Sequence, residues 1–199
     1  MRRRQLLALT ATAAVTPGLS LAQTGGDFPS KPLKIVVPFP AGGTSDVMAR
    51  MISEELPKIL KQPVVVENIG GGGGTIGTER ALRLPPDGYT IIQSGVGQNA
   101  VAHGLDPKLK YDSIADFQHL CQVHSGPNVL VVNPAVPFQS LKELVATAKA
   151  RPGKLDYGFV HAASGHMAME LFKQTAGIYM VGIPYKGGGP MITDLLAGT

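Results

Sequence analysis

Ile35-Val36-Val37-Pro38-Phe39-Pro40-Ala41-Gly42-Gly43-Thr44-Ser45-Asp46 is the run from which the architecture can be read. Its apolar, β-branched opening predicts a buried strand over 33–37. Gly42-Gly43 lets the chain turn sharply and allows another backbone to come close. Thr44 or Ser45 suits the N-cap of a following helix, and Asp46 suits its first turn. Strand, glycine turn and helix start together gather free backbone N–H groups at the positive end of a helix dipole. Such a corner can hold an anion; read from spacing alone, it can equally be an ordinary capped turn.

Outward from this corner, strand and helix alternate. A helix from about Ser45 carries Val47, Met48, Met51, Ile52 and Leu56 at helical spacing, and Pro57 is expected to end or kink it. Strands follow over 64–67 and 89–93, with a helix over 75–84 between them, stopped by Pro85-Pro86. Residues 117–123 and 128–132 read as strands around Ser125-Gly126-Pro127, taken as the junction between two lobes. Ser140-Leu141-Lys142-Glu143 is a capping-box start, with Leu141, Leu144, Val145 and Ala148 as the apolar stripe of its helix. A strand over 155–160, a helix over 165–175 closed by Gly177, a strand over 178–183 and a helix from about Pro190 to Gly198 complete the chain. This alternation predicts α/β layers with largely parallel strands. The last helix has no strand after it to receive the crossover, so the second lobe is expected to be incomplete.

Met1-Arg2-Arg3-Arg4, the apolar run 6–15 and Ser20-Leu21-Ala22 read as a signal peptide over 1–22, of Sec or twin-arginine type. The predicted organisation is therefore 1–22 signal, 28–125 first lobe and 126–199 second lobe, with export to the periplasm. The full sequence carries a formal charge of +4. Three of those charges are the arginines of the signal, leaving +1, and nucleic-acid binding loses its compositional support. The single Cys121 excludes an intramolecular disulfide and reads as a small core residue of its strand.

Further segments stand in a recognisable order: Gln62-Pro63-Val64-Val65-Val66-Glu67-Asn68, Gly72-Gly73-Gly74-Thr75-Ile76-Gly77, Pro86-Asp87-Gly88-Tyr89-Thr90, Pro127-Asn128-Val129-Leu130-Val131-Val132-Asn133-Pro134, Pro152-Gly153-Lys154-Leu155-Asp156-Tyr157 and Pro184-Tyr185-Lys186-Gly187. With the opening run, they resemble the Bug (TctC-type) solute-binding proteins, extracytoplasmic receptors of tripartite tricarboxylate transport systems. The resemblance implies a type II periplasmic-binding-protein-like fold, two Rossmann-like lobes around a cleft, and a chain cut short at its C-terminus. It implies a monomer that binds a small carboxylated solute, works with the membrane components of the transporter, and uses no cofactor.

The resemblance places the solute's carboxylate at the loop 39–44. The candidate ligand set is Phe39, Ala41, Gly42, Gly43, Thr44, Ser45 and Asp46; Gly74; Ser94 and Gly95; Ser164, Gly165 and His166; and Tyr185. The chain departs from the family's glycine-rich second-lobe loop at Phe159-Val160-His161-Ala162-Ala163. Gly72 to Gly77 also spells G-x-G-x-x-G. A dinucleotide site needs an acid at the next strand end, where Gln93 and Ser94 stand. A P-loop is excluded because no Gly-Lys-Ser/Thr follows. An exported hydrolase using Ser164 or Cys121 is the alternative from another class, although neither lies in a nucleophile elbow. His119, Cys121 and His124 do not share one strand face and make a poor metal set. A non-functional remnant is the third possibility.

Overall fold

The computed structural model describes residues 28–198. The signal peptide read over 1–22 lies outside the described residues. Three strands, β1 (Leu33–Val37), β2 (Val64–Asn68) and β3 (Thr90–Ile92), form a parallel sheet in the order β2-β1-β3. Ile35 stands opposite Val66 on one side and Ile91 on the other. Helix α1 (Thr44–Leu60) crosses from β1 to β2, and α2 (Thr75–Leu82) from β2 to β3. The central strand β1 is almost wholly buried, as a parallel strand covered on both faces should be. Ile35, Val37 and Ala49 form the centre of this core, with Phe39, Ile52, Val64, Val66 and Ile91 packed around them.

After a one-turn helix α3 (Ala102–Leu105), a second unit contains α4 (Leu141–Ala150), β4 (Asp156–Val160), α5 (Ser164–Ala176), β5 (Val181–Tyr185) and α6 (Gly188–Ala197). Its two strands are parallel, with Gly158 opposite Ile183. Phe138, Leu144, Ala148, Tyr157, Ile178 and Met180 make the buried core. The expected cap of α4 is present: Ser140 Oγ accepts the Glu143 N–H at 3.3 Å. The Glu143 carboxylate reaches one residue further back than a standard capping box, accepting the Gln139 N–H at 2.7 Å. Gly177 and Gly198 end α5 and α6 in the left-handed conformation, with φ of 61° and 78°.

Several expectations are corrected. Pro57 lies inside α1, which runs on to Leu60; the lost donor falls in the last turn, and the Lys61 N–H closes the end by donating to the Pro57 carbonyl at 3.0 Å. The N-cap of α1 is Gly43, with extended φ and ψ of −86° and 170°, rather than Thr44 or Ser45. Val47 and Met51 are exposed, and the line facing the sheet is Asp46, Ala49 and Ile52. Residues 117–123 and 128–132 form no strand. Their apolar side chains are largely exposed, Val129 and Leu120 at 74% and 72%, and no described strand pairs with them. Without a ladder partner, β-branched composition alone does not make a strand. Cys121 is therefore exposed rather than in a core. Among the described residues, no helix is long and apolar enough to cross a membrane.

Candidate functional site

The corner after β1 is built around a buried carboxylate. Asp46 is 3% exposed. Its Oδ2 accepts the Gly42 N–H at 2.9 Å and Arg50 Nε at 3.0 Å. Its Oδ1 accepts Asn68 Nδ2 at 2.9 Å, and the same amide donates to the Phe39 carbonyl at 3.1 Å. The Arg50 guanidinium, helped by the Gly42 N–H and the Asn68 amide, holds the Asp46 carboxyl at about 2 against the opposing effect of burial. Asp46 thus ties the loop to α1 and β2. Ala41, Gly42 and Thr44 are exposed. The first N–H groups of α1 have no intrahelical partner, and no side chain caps them.

Gly71, Gly72, Gly73 and Gly74 all have positive φ. They fold into a short 3-10 turn over Gly72–Gly74 that delivers the chain to α2, with Gly74 as N-cap. Beyond β3, Gly97–Val101 forms a π-helical turn. The Gln98 Oε1 accepts the Gly95 N–H at 3.1 Å, and Asn99 Nδ2 donates to Ser94 Oγ at 3.1 Å.

In the second unit, Ser164 opens α5 and its hydroxyl donates to Asn128 Oδ1 at 3.1 Å. The His166 ring stacks on Phe159, centroids 4.2 Å apart and planes 16° from parallel. Burial pushes the His166 pKa below its usual value, against the pull of Glu170. Tyr185 is spent within its own unit, its hydroxyl donating to Asp194 Oδ2 at 2.8 Å.

The two units meet along a seam of glycines. A Cβ built on Gly43 would lie 3.6 Å from the Gly188 nitrogen. One on Gly189 would lie 2.8 Å from the Ala41 carbonyl oxygen, and one on Gly187 2.7 Å from Pro40 Cδ. A Cβ on Gly73 would run into the His161 carbonyl, and one on Gly97 would stand 3.1 Å from that of Ala162. The starts of α1 and α6, one from each unit, therefore abut, and the start of α5 lies beside the turn at Gly97. The loops of Thr44 and Ser164 border one seam instead of opposite sides of the molecule. The predicted ligand loops converge, although the side chains of Asp46, His166 and Tyr185 are engaged elsewhere. A recess of about 330 Å³ lined by Leu130, Val132, Phe138 and Leu141 together with Asn133, Gln139 and Ser140 lies in the second unit. Among the described residues, no three His, Cys, Asp or Glu gather as metal ligands.

Residues 48–199 match the family described as tripartite tricarboxylate transporter family receptor, TctC. The chain belongs to this family. Within it, protein BugT of Bordetella pertussis is 38% identical over 200 residues, covering 100% of this chain and 61% of BugT. Rpa4515 of R. palustris, solved with adipate, superposes with a TM-score of 0.84 at 35% identity, over 86% of this chain and 58% of that one. MatC of Rhodopseudomonas palustris, solved with bound malate, gives 0.80 at 30% identity over the same shares. The chain has the α/β fold of these periplasmic solute-binding proteins and spans about three fifths of the length of the relatives it matches.

The Ser164 hydroxyl donates to an amide oxygen, Asn128 Oδ1, rather than to a base. Sequence reading passed over Asn68, which clamps the loop; Asn128, which holds Ser164; and Gln98. Asn68 and Asn128 stood within quoted motifs, but which loop each touches depends on the tertiary fold.

Proposed function

We propose that this chain is the solute-binding part of a periplasmic receptor that captures a small carboxylated solute for a tripartite tricarboxylate-type transporter. The abutting starts of α1 and α6 at Gly43 and Gly188 carry the reading. A single helix dipole end is worth about 0.3–1 kcal/mol, and a hydrogen bond to a charged group about 1.5–3 kcal/mol. Micromolar affinity needs about 8 kcal/mol. One loop falls short of that; several amides from two units, shielded from water as lobes close on the solute, reach it. The ligand set is the loop of Phe39, Ala41, Gly42, Gly43, Thr44 and Ser45, with Gly74, Ser94, Gly95, Ser164 and Gly165 around it. Asp46 and Tyr185 shape this set, and His166 packs behind it. Relatives solved with adipate and malate support the solute class. The receptor acts as a monomer, is no enzyme, and reaches the periplasm through a signal peptide over 1–22. Titration calorimetry of the purified protein with adipate and malate tests the proposal. Saturable micromolar binding of either is expected; no heat and no ligand-induced rise in Tm with both would end it.

A further inference from the structure

Among the described residues, Gln98 is the largest fully buried side chain, 1% exposed. Its backbone carbonyl accepts the Tyr111 hydroxyl at 2.9 Å and its Oε1 accepts the Gly95 N–H, so the residue is fixed from both ends. Its Nε2 is buried and has no hydrogen-bond partner. This nitrogen lies against Gly74, the N-cap of α2, where a Cβ would collide with it. The N–H groups that open α2 have no side-chain cap. The Thr75 N–H already donates to the Gly72 carbonyl, so the donor left without an acceptor at this helix start is the Gln98 amide, an arrangement that native interiors rarely leave unfilled. Gln98 sits in a π-helical turn, a feature often found at functional sites. The same turn touches the second unit, Gly97 against the Ala162 carbonyl.

We infer that the Gln98 amide, standing at the start of α2, forms a subsite for a carboxylate oxygen of the captured solute. The inference rests on the receptor reading above and adds a specificity-determining residue to it. The donor is held out of bulk water, where a hydrogen bond to a charged acceptor is strong and its loss is felt in full. Gly74 brings no side chain between the amide and the helix start, which explains why glycine stands there beyond its φ of +101°. The acceptor class follows from the chemistry: the unpartnered atom is an amide nitrogen, which donates and cannot accept, so an ammonium or other cation is no partner for it.

Titration calorimetry with adipate and malate on wild type, Gln98→Met and Gln98→Glu tests the subsite. Gln98→Met keeps the length of the side chain and removes the donor; an affinity loss of about ten- to hundredfold is expected. Gln98→Glu replaces the donor by an anion and should lose more. Burial raises the pKa of the introduced carboxyl, so its ratio to wild type should narrow between pH 7 and pH 5. A residue with only a structural role would show no such pH dependence. Equal affinity of wild type and Gln98→Met for both solutes overturns the subsite and leaves the receptor reading standing. Failure of wild type to bind either solute overturns both.

Discussion

The carboxylate of Asp46 accepts the backbone N–H of Gly42 at 2.9 Å, so a residue in the first turn of α1 also holds the glycine turn before it. The turn keeps its shape because a buried charge demands partners: Gly42, Arg50 and Asn68 supply them. The loop proposed to meet the solute is thus preorganised by a group that is itself buried. On that proposal, the residue that shapes the site is distinct from those that touch the solute.

Asp46→Asn should lower stability by roughly 2 kcal/mol at pH 7, from the depression of its carboxyl to about 2 against an ordinary value of 3.8. A depressed folded pKa means that the contribution is complete above the unfolded value and fades as pH falls through the folded one. Urea melts at pH 7 and at steps between pH 4 and pH 2 check this. The wild-type advantage should shrink across that window; a constant gap would refute the linkage.

Ser140→Ala should cost about 1 kcal/mol through loss of the α4 cap. Glu143 still holds the Gln139 N–H, so the helix start is only half undone. Leu144→Ala, one turn on and 3% exposed, should cost about 2–5 kcal/mol because it opens the core. Urea denaturation of the two variants should rank them in that order, and the reverse ranking would contradict the packing.

Tyr157, Glu170 and Lys173 form a second small network. The Tyr157 hydroxyl donates to the Glu170 carboxylate, and Lys173 Nζ lies 2.8 Å from the same oxygen and 4.8 Å from the Tyr157 ring centroid. Tyr157→Phe leaves the ion pair intact and should cost about 1 kcal/mol. Glu170→Ala leaves a lysine side chain that is 14% exposed without its carboxylate and should cost more. Lys173 and Tyr157 hold the Glu170 carboxyl below its ordinary 4.5. Its contribution is therefore present above that value and lost as pH falls beneath it. Chemical denaturation of both variants at pH 7 and pH 4 checks the order and the sign.

How far the sequence carried the reading depended on whether the signal was local. The strand of Ile35 to Val37, the turn at Gly42-Gly43, the cap at Ser140 and the stops at Gly177 and Gly198 are each decided within a few residues, and each is found. Residues 128–132 failed because a strand needs a partner, which no window of sequence supplies. His166 entered the candidate set through the family resemblance; in the fold its ring stacks on Phe159 of the preceding strand. Gln98 and Asn68 carried no local signal: an amide becomes informative only once its burial and neighbours are known.

Binding should be most sensitive to the seam itself. Gly189 lies in the first turn of α6 with a φ that any residue adopts, and its Cβ would fall 2.8 Å from the Ala41 carbonyl oxygen. Gly189→Ala gains helix propensity of about 1 kcal/mol while forcing the α6 start off the loop of Gly42. The variant should melt at or above the wild-type temperature and bind adipate or malate at least about tenfold more weakly, as expected when one charged hydrogen bond is lost. Gly104→Ala, whose Cβ would meet nothing within 4 Å, is the matched control and should leave affinity unchanged. Calorimetry and thermal melts on the pair separate closure from folding. Wild-type affinity in Gly189→Ala would mean that the two helix starts do not need to meet for the solute to be held.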